Sequence, residues 1–339
     1  MKLLPCLSAT LLSLLLSGCW SASGPEVVVY TALDEEFSKP IFDDFTAKSG
    51  IAVLPKFDTE STKTVGLAEA IVAESGRPRC DVFWNNEILH TLRLKQRGLV
   101  GAFVPPSAKS YLAAYRDPQG FWHGFAARAR VLIVNTDAVP EADRPRSIRD
   151  LADAKWRGRS GMAKPLFGTT ASHAACLFAA WGPEKAKDFF RQLKANNTQI
   201  LSGNKQVALS VAGGKLAFGL TDTDDAVIEL EKGMPVAIVY PDQGDDELGT
   251  LFIPNTLAII RGGPNPGAAH TLVQYLLSPE VETRLAAGPS AQIPLNPKVQ
   301  VPSRVQSPRT VKAMQVDFDA AAAQWEAAAE FLRDTFAGG

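Results

Sequence analysis

Histidine and cysteine are scarce in this chain, four of each in 339 residues. The histidines (His90, His123, His173 and His270) are scattered, and there is no CxxC and no HExxH. That argues against a His/Cys metal site. No GxSxG turn and no recognisable nucleophile with its base is present, so nothing here reads as an enzyme. Charge of one sign is lacking too: 35 lysines and arginines stand against 36 aspartates and glutamates. No basic run with interleaved aromatics marks a nucleic-acid surface. There is no internal repeat. Beyond the N-terminus no apolar run reaches the ~18 residues that a membrane helix requires.

The N-terminus itself is distinctive. Lys2 supplies a positive start, and Leu3 to Leu16 is an apolar core too short to span a bilayer. It ends in Leu16-Ser17-Gly18-Cys19. This motif resembles a bacterial lipobox, in which the cysteine is lipidated and becomes the first mature residue. The plainer alternative is a signal peptide cut near Ala22. On the lipobox reading, residues 1–19 are a leader with its lipobox and Cys19 carries the anchor. The product is then a periplasmic lipoprotein that meets the membrane through its lipid alone. Cys80 and Cys176 remain, too few for a disulfide scaffold. Buried single thiols are expected, with pairing in an oxidising compartment as the alternative.

Length suggests about two domains, and the composition, 46% hydrophobic and 21% charged, is that of a globular protein. Glu26 to Thr31 reads as a buried strand. The helix after it places Phe37, Ile41 and Phe45 on one face; Ser38 can cap it, and Gly50 stops it. Ile51 to Leu54 is a strand, then a helix spans about Thr62 to Ser75. Cys80 to Trp84 is a third strand, closed by Asn85-Asn86-Glu87, with a helix from Ile88 to Arg97. This β-α-β-α-β-α order predicts a parallel, doubly wound sheet. A long strand, Ala129 to Asn135, opens on Arg128 and Arg130. The α/β pattern then resumes, with a capping box at Ser147, a strand at Gly161 to Ala163, and helices at 171–181, 183–196 and 205–213. The extended run Gly249 to Ile260 reads as the partner of 129–135, and Ala313 to Phe336 as a terminal helix.

One stretch concentrates chemistry. Lys215 to Phe218 reads as a strand and Val227 to Lys232 as a helix, and between them lie Thr221-Asp222-Thr223-Asp224-Asp225. Ligands of open α/β sheets bind where strands hand over to helices. A helix cap needs one acid or two; three acids and two hydroxyls allow a site as well. Thr169 and Thr170, after Gly168, open another helix and suit an anion, as does Arg128. Glu87 suits a cation, or is simply an acid at a helix start.

These pieces together resemble the type II periplasmic substrate-binding proteins of ABC transporters, in particular the iron(III)-binding group. The resemblance is carried by Val28 to Ala32, Cys80 to Glu87, Ser147 to Gly158, Pro165 to Ser172, Ser202 to Asn204 and Ala217 to Ala226. It implies an α/β fold of two lobes, each a mostly parallel sheet flanked by helices, joined by crossing hinge strands. The implied lobes are 26–128 plus 253–305 and 129–252 plus 306–339. It also implies an importer component that closes on its cargo, served by a permease and its ATPase in the inner membrane, with no enzymatic cofactor. Its ligand contacts fall on Thr31, Asn86 and Glu87, Arg128, Gly168, Thr169 and Thr170, Asn204, Asp222 and Thr223, with Glu87, Asp224 and Asp225 as metal ligands. Where the iron binders carry two adjacent tyrosines, this chain has Thr223-Asp224-Asp225. Aspartate also offers the anionic oxygens that iron(III) favours. The cargo expected is iron(III) with a synergistic anion; the alternative is a small organic phosphate, phosphonate or amine.

Overall fold

The computed structural model describes residues 24–58, 64–301 and 304–336. The leader, the lipobox and Cys19 lie outside the described residues. The first unit runs β1 (Glu26–Thr31), α1 (Glu35–Ser49), β2 (Ala52–Phe57), α2 (Val65–Ala73), β3 (Val82–Asn85), α3 (Leu89–Gln96) and β4 (Val100–Gly101). Strand β5 (His123–Asn135) leads into the second: β6 (Ser160–Ala163), α4 (Gly168–Trp181), α5 (Pro183–Ala195), β7 (Gln199–Leu201), α6 (Asn204–Ala212), β8 (Phe218–Asp222), α7 (Thr223–Glu231) and β9 (Val236–Val239). Strand β10 (Phe252–Ile260) returns, followed by α8 (Pro266–Leu276), α9 (Pro279–Ala287) and α10 (Phe318–Phe336).

The sheet order is β2-β1-β3-β10-β5-β8-β6-β7, with β4 on β10 and β9 on β5. Within each half the α/β crossovers give parallel pairs: β1 with β2 and β3, β6 with β7 and β8. The antiparallel pairs are made by β5 and β10. Strand β10 pairs with His123 to Ala129 of β5, whereas Arg130 to Asn135 pair with β8 and β9. The expected partnership of 249–260 with 129–135 is thus displaced by one half of a longer strand. A register shift at Pro254/Asn255 and a positive φ of 42° at Ala126 mark the bend. Asn255 Nδ2 donates to the Ala126 carbonyl, and the Ala126 N–H donates to the buried Glu282 carboxylate at 2.5 Å.

Local patterning is kept. Phe37, Ile41 and Phe45 are buried together on α1, and Gly50 ends that helix at φ 72°. Ser38 does not cap it. The helix starts at Glu35, where two acids meet its positive end, and Ser38 Oγ donates to the carbonyls of Leu33 and Asp34. The Ser147 capping box is present. Helix α10 begins at Phe318 because Thr250 bridges to Ala313 and accepts from the Met314 N–H at its carbonyl. Cys80 and Cys176 are buried free thiols. No helix among the described residues is long and apolar enough to cross a membrane.

Just past β9, Asp242 is buried and accepts from Ser147 Oγ at 2.5 Å. Burial pushes its carboxyl up to about 6. A raised folded-state pKa means that the folded chain holds this proton more tightly than the unfolded one. The stability this confers is complete below the ordinary aspartate range, around pH 4, and is lost as pH rises through about 6. Urea unfolding of wild type between pH 4 and 7 should therefore show a decline that Asp242→Asn lacks.

Candidate functional site

The two halves face each other across a cleft lined by Asp34 and Asn86 on one side, Arg128 at the bend, and Lys164, Gly168, Thr169, Asn204, Lys205, Asp222, Asp224 and Asp225 on the other. Its volume is about 40 Å³, room for roughly three waters at ~10–15 Å³ each. A further hollow of about 230 Å³, walled by Leu112, Tyr115, Ile293, Leu295 and Val305, is mainly apolar and collects no carboxylate among the described residues.

The acidic turn straddles the end of β8 and the start of α7. One carboxylate oxygen each from Asp222, Asp224 and Asp225 lies within 4.8 Å of the others. Asp222, however, is occupied. Its Oδ1 accepts from Arg130 Nη1 at 2.6 Å, and its Oδ2 accepts from Thr169 Oγ1 at 2.5 Å and Asn204 Nδ2 at 3.0 Å. Asp224 pairs more loosely, its Oδ2 3.5 Å from Arg128 Nη2.

Arg128 is 3% exposed, and its Nε donates to nothing among the described residues. Behind it, the Gln292 amide oxygen accepts from Nη2 at 3.1 Å in the orientation its neighbours dictate. Burial alone would ease the proton off this guanidinium, but Asp224, Asp222, Asp34 and Asp225 reverse that and raise its pKa. On the opposite wall, Asn86 is 2% exposed and its Oδ1 accepts nothing among the described residues. Buried polar atoms of this kind are uncommon unless a ligand or water meets them.

Two helix N-termini open here. The N-cap positions of α4 and α6 are Phe167 and Gly203, and neither provides a side-chain cap. Their first amides are therefore not capped by those side chains. Gly168 stands at φ 57°, with nothing within 4 Å of where a Cβ would be; it is the backbone turn into α4, not crowding, that suits glycine there. Lys205 also reaches across to Glu36 of α1, at 3.7 Å.

Several expected site residues do other work. Glu87 is fully buried and does not line the cleft. Its Oε1 accepts from Asn85 Nδ2 and the His90 N–H, and its Oε2 from the Leu89 N–H and Ser172 Oγ. It holds the start of α3 and ties it to α4, and burial raises its pKa. Thr31 is buried and accepts from the Leu33 N–H. Thr223 Oγ1 accepts from the Ala129 N–H, and Thr170 accepts from Arg130 Nη2. None of these three lines the cleft. Arg128, Gly168, Thr169, Asn204, Asp222, Asp224 and Asp225 do. Sequence reasoning missed Lys164, Lys205 and Asp34, and passed over Arg130 as a site residue.

A two-unit α/β molecule whose halves share crossing strands and face each other over a small charged cleft has the architecture of the type II periplasmic binding proteins. The chain belongs to the bacterial extracellular solute-binding protein family, whose family model matches residues 90–322. It is 24% identical over 289 residues to iron uptake protein A1 of Synechocystis sp., covering 81% of this chain and 78% of the relative. Iron-bound HitA from Pseudomonas aeruginosa superposes with a TM-score of 0.83 at 24% identity, over 92% of this chain and 99% of that one. AfuA from Actinobacillus pleuropneumoniae, with fructose-6-phosphate bound, gives 0.82 at 21% identity, over 94% and 100%.

Proposed function

We propose that this chain is the extracytoplasmic substrate-binding component of an ABC importer, not an enzyme, and that it carries iron(III) together with a small synergistic anion. On this reading it is a periplasmic lipoprotein anchored through Cys19. Residues 26–128 plus 253–305 and 129–252 plus 306–339 act as two lobes closing on a hinge at β5 and β10. A permease and its ATPase in the inner membrane take the cargo. The observation that carries the reading is the pairing of opposite chemistries in one small cleft. Asp224, Asp225 and Asp34 offer hard anionic oxygens. Arg128, Lys164, Lys205 and two helix starts suit an anion. The iron named in two of the relatives supports the choice of metal.

A second cargo, a small organic phosphate, phosphonate or amine, is favoured by one feature. Glu87 and Asp222 are committed within the chain, which leaves few carboxylates for a metal, whereas the anion half is well furnished. Titration with ferric citrate followed by native mass spectrometry separates the two. Wild type should retain one iron, and Asp224→Ala/Asp225→Ala none. If wild type retains no iron, the second cargo takes precedence. It should then appear in a thermal-shift screen, because a ligand at 100 times its Kd stabilises by about 2.7 kcal/mol.

A further inference from the structure

We propose that Arg130 is a positioning residue for the anion half of the cleft: it touches no cargo, but fixes the two helix starts that do. The proposal rests on the anion-binding part of the reading above. The register of β5 against β8 sets Arg130 opposite Asp222, and Arg130 is 0% exposed. Its Nη1 donates to Thr169 Oγ1 at 3.1 Å, to Asn204 Oδ1 at 3.0 Å and to Asp222 Oδ1 at 2.6 Å, and its Nη2 donates to Thr170 Oγ1 at 3.1 Å. Thr169 and Thr170 belong to the first turn of α4, and Asn204 is the first residue of α6.

One guanidinium–carboxylate pair therefore ties β5, β8, α4 and α6 together. Two consequences follow. The first is geometric: Asn204 also donates to Thr169 at 2.9 Å and accepts from Thr170 at 3.2 Å, so these side chains are turned toward Arg130 and one another. What remains for a ligand is the backbone N–H groups at the helix starts, aimed by the frame behind them. The second is electrostatic. Asp222 lies beside an anion seat and would repel its occupant; the buried Arg130 neutralises it in place. The planar fork matters here, because an ammonium could not reach all four acceptors at once. Across the same cleft, Asn86 Oδ1 is a buried acceptor that meets no partner among the described residues, which points to a ligand between the two walls that offers a donor or a cation on that side.

The test measures inorganic phosphate affinity by calorimetry and the melting temperature in parallel, for wild type, Arg130→Lys, Arg130→Met and Arg130→Met/Asp222→Leu. Removing both charges with apolar residues of similar bulk is often neutral for stability, so the double variant should regain most of the melting temperature lost by Arg130→Met. It should still bind phosphate about tenfold or more weakly, the effect of misaligning one charge-assisted hydrogen bond. Arg130→Lys should also bind weakly despite keeping the charge. Phosphate affinity within twofold of wild type in the double or the lysine variant overturns the proposal, because Arg130 would then be a structural or compensating charge only. Wild type that releases no phosphate heat overturns the anion reading itself, and the positioning role with it.

Discussion

Glu87→Ala should destabilise the protein by about 3 kcal/mol while leaving every residue that lines the cleft unchanged. Glu87 is fully buried and accepts from four donors, two of them backbone amides at the start of α3. Truncation leaves those donors without their acceptor in a site from which water is excluded, and each such group costs about 1–3 kcal/mol. Relaxation and water entry into the space vacated recover part of that. Glu87→Gln should give an intermediate loss, because its single oxygen can serve only one side and its amide nitrogen would face donors on the other. Urea unfolding measures both as shifts in midpoint at constant m. A loss of cargo affinity without a loss of stability would instead make Glu87 a ligand.

Arg128→Ala should weaken cargo binding about a hundredfold. The guanidinium is 3% exposed at the bend between the two halves, with Asp224 before it and Gln292 behind. Truncating one member of a buried charge pair typically costs about 2–5 kcal/mol of binding, and a hundredfold corresponds to about 2.8 kcal/mol. Much of that loss comes from the deficit left at Asp224. Arg128→Lys should recover part of it, since it restores the charge without the fork. Titration with ferric citrate, or with inorganic phosphate if iron is not bound, reads the change. Unaltered affinity in Arg128→Ala would remove Arg128 from the site.

The contrast between Arg128 and Arg130 shows where sequence reading stops. The two lie two residues apart on one strand and so point to the same face. What separates their roles is the change of partner between them: Arg128 stands in register with Ile253 of β10, and Arg130 with Asp222 of β8. No local pattern announces that switch, so the sequence singles out Arg128 and gives Arg130 no role beyond a basic residue near the start of the strand. The acidic turn was legible because three acids exceed what a helix start needs. The alternation of strands and helices was legible from periodicity, which holds at β1 and α5 within a residue or two, whereas α1 starts at Glu35, ahead of the expected cap at Ser38. Glu87 misled because an acid at a strand-to-helix corner looks the same whether it faces ligand or its own helix; only the burial of Asn85, Thr91 and Ser172 around it decides. Lys164 and Lys205 are single lysines, and a lone lysine carries no pattern.

The place of β10 has a consequence for how the chain is made. It lies between β3 and β5 in the sheet, yet it comes from residues 252–260. Until those residues leave the ribosome, β3 presents a bare edge of unpaired backbone groups, the kind that recruits strands from other molecules. The first sheet cannot be completed in order of synthesis, and its closing contacts, such as Asn85 with Thr256, span about half of the chain, which favours slow folding. On the proposed reading, in which the chain is exported, that delay is an advantage. The chain stays incomplete, and therefore threadable, for as long as its central strand has yet to arrive.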